Sequence, residues 1–334
     1  MYSIIIKKIY KPGLLLLFFL HVAAGYAQLL PGFTPTGKFY EQEITVTDTV
    51  KKTVISINAP LALHPNKKTY LVFFALPNGN SIEWTKGKTM QPGNDWHFNI
   101  QHIAAQTRYV RQLDSKTNYI VVYLMAAQKS WPAWKRTTPG AIAVIKQITD
   151  SITNLFSAYQ PHIILNGHSG GGSFIFGLLD SNDAIADNIE RIAFLDSDYG
   201  YNDTLHRQKL INWLQKSKRH VLTVLAYNDS VVIYNGKPLV SPTGGTWYRS
   251  RLMQRNLSTV FNFTTAEDTA FITHKALHGR ITFILKQNPQ ALIYHTEQVE
   301  RNGFILSLFT YTKFDNRKYF TYFDKRAYNN LISD

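Results

Sequence analysis

The chain has 334 residues, 45% of them hydrophobic and 17% charged, with 36 Lys and Arg against 22 Asp and Glu and no cysteine. That length carries a substantial core, and an aromatic content of 13% with so few charges excludes a disordered or coiled-coil chain. Without cysteine there can be no disulfide scaffold, thiolate metal site, cysteine nucleophile or lipidated cysteine anchor.

The N-terminus reads as a targeting segment. Lys7, Lys8 and Lys11 precede the apolar run Leu14 to Leu20, and Gly25 and Ala27 set small residues before Gln28. A positive start, a short apolar core and small residues predict a signal peptide over residues 1–27 and a secreted or periplasmic product. The run is too short to span a bilayer, so no membrane anchor is expected. Removing those three lysines lowers the formal charge from +14 to +11. The basic residues are scattered, and no nucleic-acid motif accompanies them.

Extended Pro/Gly-rich chain over 28–38 leads into two alternating segments, Phe39 to Val46 and Val50 to Ile57, a hairpin-like pair. The run Tyr70 to Leu76 is continuously apolar, as a strand covered on both faces should be, and ends in the turn cluster Pro77-Asn78-Gly79-Asn80. Ile100 to Leu113 reads as a helix, Tyr119 to Ala126 as a second buried strand, and Ala141 to Tyr159 as an amphipathic helix. Then come strand His162 to Asn166, helix Gly172 to Leu179, strand Arg191 to Leu195, helix Thr204 to Lys218 and strand His220 to Tyr227. The last buried strand is expected at Ala291 to Tyr294. Strands alternating with helices predict a mostly parallel sheet with helices on both faces. The chain reads as one domain over 28–334, with an inserted rim or lid at about 230–279.

Strand His162 to Asn166 runs straight into Gly167-His168-Ser169-Gly170-Gly171, a G-x-S-x-G pattern followed by an apolar helix. In that setting the pattern describes a nucleophile elbow: a tight strand-to-helix turn that lifts the serine hydroxyl off the sheet edge and aims the next N–H at a developing oxyanion. No lysine follows the glycines, which excludes a phosphate-binding loop of the Walker type.

With this motif and element order, the chain resembles the α/β-hydrolase superfamily over about residues 39 to 310. The resemblance implies a three-layer α/β fold and a Ser–acid–His triad in chain order. It implies Ser169 as nucleophile, Gly170 as one oxyanion donor, and Asn78 or Gly79 as the other. For the acid it favours Asp229, just beyond strand His220 to Tyr227, with Asp196 and Asp198 after the preceding strand as alternatives. For the base it favours His295 over His274 and His278. The i, i+4 spacing of His274 and His278 could also clip a zinc ion, but no third ligand is evident.

Trp84, Trp96, Trp131, Trp134, Trp247 and Tyr248 fall in loops expected at the catalytic edge, and Trp131, Trp134 and Trp247 are the candidate substrate-binding residues. Lys135, Arg136, Arg249 and Arg251 could meet a carboxylate there. The expectation is an exported serine esterase acting on a small-molecule or glycan ester, with carbohydrate or aromatic esters favoured and no metal or organic cofactor implied. The alternative is a catalytically silent relative that binds a glycan or a protein. Oligomeric state is not legible.

Overall fold

The computed structural model describes residues 29–334, so the predicted signal peptide lies outside the described residues. Strands β1 (Thr34–Pro35), β2 (Glu41–Asp48) and β3 (Thr53–Pro60) lead into β4 (Lys68–Ala75), α1 (Ile82–Lys86), α2 (Ile103–Leu113) and β5 (Thr117–Ala126). Helices α3 (Trp131–Thr137) and α4 (Ala141–Leu155) precede β6 (His162–His168), α5 (Gly172–Asp180), β7 (Ile189–Leu195), α6 (Asp203–Lys216) and β8 (Val221–Tyr227). The hairpin β9 (Ile233–Tyr234) and β10 (Lys237–Pro238) is followed by α7 (Thr246–Ser258), β11 (Thr264–Glu267), β12 (Phe271–Ala276), β13 (Ile281–Lys286), α8 (Glu297–Glu300) and α9 (Gly303–Phe309).

Among the described residues eleven strands form one sheet in the order β1-β2-β3-β5-β4-β6-β7-β8-β13-β12-β11. The block from β5 to β13 is parallel throughout, and antiparallel strands flank it on both sides. Alternation along β4 divides the core: Leu71, Phe73 and Ala75 pack with α3 to α7, while Tyr70, Val72 and Phe74 pack with α1, α2 and α9. Both faces are thus covered, which is why this strand reads as an unbroken apolar run. The result is the expected three-layer, mostly parallel α/β architecture. Among the described residues no helix is long and apolar enough to cross a membrane.

Three expectations change. Helix α2 begins at Ile103 because His102 sits at φ 52°, outside the helical region. The final buried strand is β13, not Ala291 to Tyr294; the latter is irregular chain with Leu292 and Ile293 about half exposed. Within the segment expected as a rim or lid, 230–279, the part from α7 onward is scaffold, for α7 buries Met253 and Leu257 in the core and β12 extends the sheet beside β13.

The candidate tryptophans Trp131, Trp134 and Trp247 pack into or against the core. Trp131 and Trp134 are 2% and 1% exposed, and their indole N–H groups donate to Leu124 O and Lys51 O at 3.0 and 2.8 Å. Trp247 packs against the same core from the start of α7, beneath the Arg251 guanidinium. Trp96, well exposed, stacks on His97, which stacks in turn on Trp84. Replacing Trp134 by Phe removes a buried hydrogen bond and some volume, which should cost about 1–3 kcal/mol of unfolding free energy. Urea denaturation of the variant beside the parent checks this.

Candidate active site

The parallel strands end on one edge, where a cavity of about 560 Å³ opens. Ser169 follows β6 at φ 53°, a left-handed backbone that a serine seldom adopts, and its neighbours explain how the turn survives. A Cβ at Gly172 would overlap the Ser197 carbonyl, and one at Gly170 would overlap the Asn78 side chain. Only glycines let the start of α5 come this close to the sheet edge. Ser197 braces the turn from the other side, its hydroxyl donating to Gly167 O at 2.9 Å.

His295 lies in the loop between β13 and α8 and lines the same cavity as Ser169. Its Nδ1–H donates to the carboxylate of Asp196, the residue directly after β7, which is fully buried and holds a φ of 49°. With Nδ1 so engaged, Nε2 is the nitrogen left for proton transfer. The elbow residue His168 ties this loop to the sheet: its Nε2–H donates to the His295 carbonyl at 3.1 Å, and the two rings lie 4.5 Å apart. Burial holds His168 well below the usual histidine range, so at neutral pH it is an uncharged donor.

Asp229, the favoured acid, is thereby corrected: the imidazole pairs with Asp196 instead. The oxygens of Asp229 accept the N–H groups of Thr246 and Trp247, at 2.8 and 3.4 Å, where α7 begins. An anion at a helix N-terminus satisfies amides that have no partner inside the helix. A Cβ at Gly245 would overlap this carboxylate, so the glycine makes the approach possible. The Thr246 hydroxyl donates to the second oxygen of Asp196 and so links the two acids. Asp198 is engaged elsewhere, accepting from Ser250 Oγ at 2.8 Å, and burial pushes it well above the ordinary carboxylate range.

His274 and His278 stand away from the cavity. His274 pairs opposite Phe283 in the middle of β12 and bonds Thr265 Oγ1, and His278 lies in the turn before β13, at the opposite end of the parallel strands. Among the described residues no cluster of three or more His, Asp or Glu could hold a metal. Of the two oxyanion candidates in the loop after β4, Gly79 spends its N–H on Lys129 O at 2.8 Å, whereas Asn78 lines the cavity beside Gly170. The cationic residues expected at a carboxylate are absent from the lining: Arg249 donates to Tyr201 O and Arg251 covers Trp247. Two tyrosines take their place in the wall, Tyr199 after β7 and Tyr227 at the end of β8, which sequence reasoning did not single out. Their positions just beyond or at the ends of parallel strands are the signal that could have found them.

A strained serine on an elbow, an imidazole oriented by a buried carboxylate, and two candidate oxyanion donors share one cavity. The chain has the α/β-hydrolase fold. No protein-family model matches the chain and no curated protein does. Among solved structures it is similar to one described as FAE, at 10% identity over 82% of this chain and 88% of that one, TM-score 0.49. It is also similar to the feruloyl esterase module from Clostridium thermocellum complexed with sinapinate, at 11% identity over 82% and 91%, TM-score 0.47. A siderophore hydrolase from Aspergillus nidulans is 11% identical over 81% and 96%, TM-score 0.40. At such identities the chemistry has to be argued from this chain's own side chains.

The two acids make a sharp comparison. Asp196→Asn should lower ester turnover at least about a hundredfold by spoiling the imidazole's orientation, while Asp229→Asn should stay within about tenfold of the parent. Burial first, and the nearby Asp196 charge second, push Asp229 from 3.8 up to about 6. A carboxyl raised on folding stabilises fully below its unfolded value, and this is lost as pH rises through the folded one. The displacement is worth on the order of 3 kcal/mol. The melting temperature of Asp229→Asn relative to the parent should therefore climb between pH 4 and about 7 and then level off. A difference independent of pH would contradict that account.

Proposed function

We propose that the protein is an exported serine hydrolase of carboxylic esters, with Ser169 as nucleophile, His295 as base and acid, and Asp196 as the orienting carboxylate. The observation that carries this reading is the meeting of a strained elbow serine and a carboxylate-bound imidazole on one cavity wall. Ser169 Oγ attacks the ester carbonyl while His295 Nε2 takes its proton. The N–H groups of Gly170 and Asn78 face the oxyanion of the tetrahedral intermediate. Collapse expels the alcohol, which leaves with the proton held by His295. A water molecule, deprotonated by the same nitrogen, then releases the acid and restores the serine. The proton thus moves through one imidazole in both halves of the cycle.

Export rests on the charge and apolar pattern of the first 27 residues and predicts a mature N-terminus at or near Gln28, open to N-terminal sequencing. The catalytic reading is tested by fluorophosphonate labelling and hydrolysis of 4-nitrophenyl acetate with the parent and Ser169→Ala. The parent should label at Ser169 and turn over, and the variant should do neither, with turnover down by several orders of magnitude. Full turnover in a folded Ser169→Ala variant would rule out the mechanism. A parent that neither labels nor hydrolyses would leave the silent binding relative as the reading.

A further inference from the structure

The cavity beside Ser169 has a distinctive chemistry for so basic a chain. The formal charge is +14, yet among the described residues no Asp, Glu, Lys or Arg lines the space. One wall is aliphatic and comes from two separate segments. Leu239 and Val240 follow the β9–β10 hairpin, and Ile293 comes from the loop that carries His295. The apolar surface continues outward from the mouth along the same two segments, with Ile233 62%, Leu292 51%, Ile293 48% and Leu239 37% exposed. Apolar side chains this exposed on both lips of one opening mark a surface that meets an apolar partner.

The inner wall supplies the polar features. Tyr227 is only 1% exposed and Tyr199 half-buried, both line the cavity, and neither hydroxyl bonds to another described residue. Burial keeps both phenols well above their ordinary range, so they remain neutral O–H groups. A carboxylate or phosphate entering here would lose its water and meet no cation, a cost that two neutral hydroxyls do not offset. A sugar ring would leave most of its hydroxyls against Leu239, Val240 and Ile293 without partners. An uncharged hydrocarbon group gains by burial against the same wall, and its size suits a cavity within the range of small-molecule pockets.

Resting on the serine-hydrolase reading above, we infer that the substrate is an ester with an uncharged, apolar acyl chain of several carbons. Leu239 and Ile293 are the residues that select it. The chain lies between the two lips, with its carbonyl at Ser169.

The experiment measures kcat/KM for 4-nitrophenyl acetate, butyrate and hexanoate, and for the mono-4-nitrophenyl ester of glutaric acid, which puts a carboxylate at the chain end. Each buried methylene should raise kcat/KM about threefold to fourfold, and the glutarate should fall at least about tenfold below the butyrate. Leu239→Asp and Ile293→Asp change exposed positions that the fold does not need. Each should reduce the hexanoate-to-acetate ratio at least about tenfold. A flat chain-length profile, a glutarate preferred to the butyrate, or a ratio untouched by both variants would overturn the assignment while Ser169 labelling left the nucleophile standing. A parent that hydrolyses none of the esters and does not label would instead bring down the serine-hydrolase reading, and this assignment with it.

Discussion

The hydrogen bond from His295 Nδ1 to Asp196 holds the functional edge together. It joins the end of β7 to the loop beyond β13, two segments 99 residues apart in sequence. Asp196 is fully buried, so the bond forms where water competes poorly and a misplaced partner would be costly. Two further contacts hold it in register: Thr246 donates to the far oxygen of Asp196, and His168 donates to the His295 backbone. The imidazole is thus fixed through its ring, its main chain and its partner's second oxygen. That leaves one nitrogen free, on the cavity shared with Ser169.

The same edge shows why one of two well-placed acids meets the histidine. Asp196 and Asp229 both come directly or almost directly after parallel strands, β7 and β8, that end beside one another in the sheet. Their difference is the start of α7. Asp229 receives the first amides of that helix and is committed to anchoring it against the core. Asp196, linked to Asp229 only through the Thr246 hydroxyl, keeps an oxygen for the imidazole. Burial first, and the neighbouring Asp196 charge second, push Asp229 up to about 6. One carboxylate has become part of the scaffold and the other holds the imidazole.

These relations mark the limit of what local sequence could reveal. The doubly covered strands are visible because the residues from Tyr70 to Ala75 and from Tyr119 to Leu124 are all buried on one face or the other, and the elbow is visible because only glycines permit the approach of α5. His295 reaches the cavity that Ser169 lines although the strand expected before it is irregular chain, because its position depends on the following loop and helix. The choice between Asp196 and Asp229 depends on a helix that starts 17 residues beyond Asp229, a separation over which no periodicity carries information. The tryptophans mislead for the converse reason: Trp131 and Trp134 fall next to a loop in sequence, but their indoles turn inward to bond Leu124 and Lys51.

That inward turn bears on chemistry as well as stability. A loop that spends its large aromatics on the core leaves its cavity to be walled by side chains from elsewhere, among them the segment after the β9–β10 hairpin and the loop before α8. The second of these carries His295 two residues beyond Ile293, so the lip that would grip a substrate chain and the base that would serve its carbonyl belong to one short stretch of backbone. Asn288 steadies this stretch, its side chain donating to Leu292 O at 2.7 Å and to Asn228 O at 3.0 Å, and accepting from Leu292 N. On the substrate proposed above, contact at Ile293 would thereby be coupled to the placement of the imidazole. Binding energy gained along the hydrocarbon can then be spent on alignment at the reacting carbon, the arrangement by which remote contacts raise turnover as well as affinity.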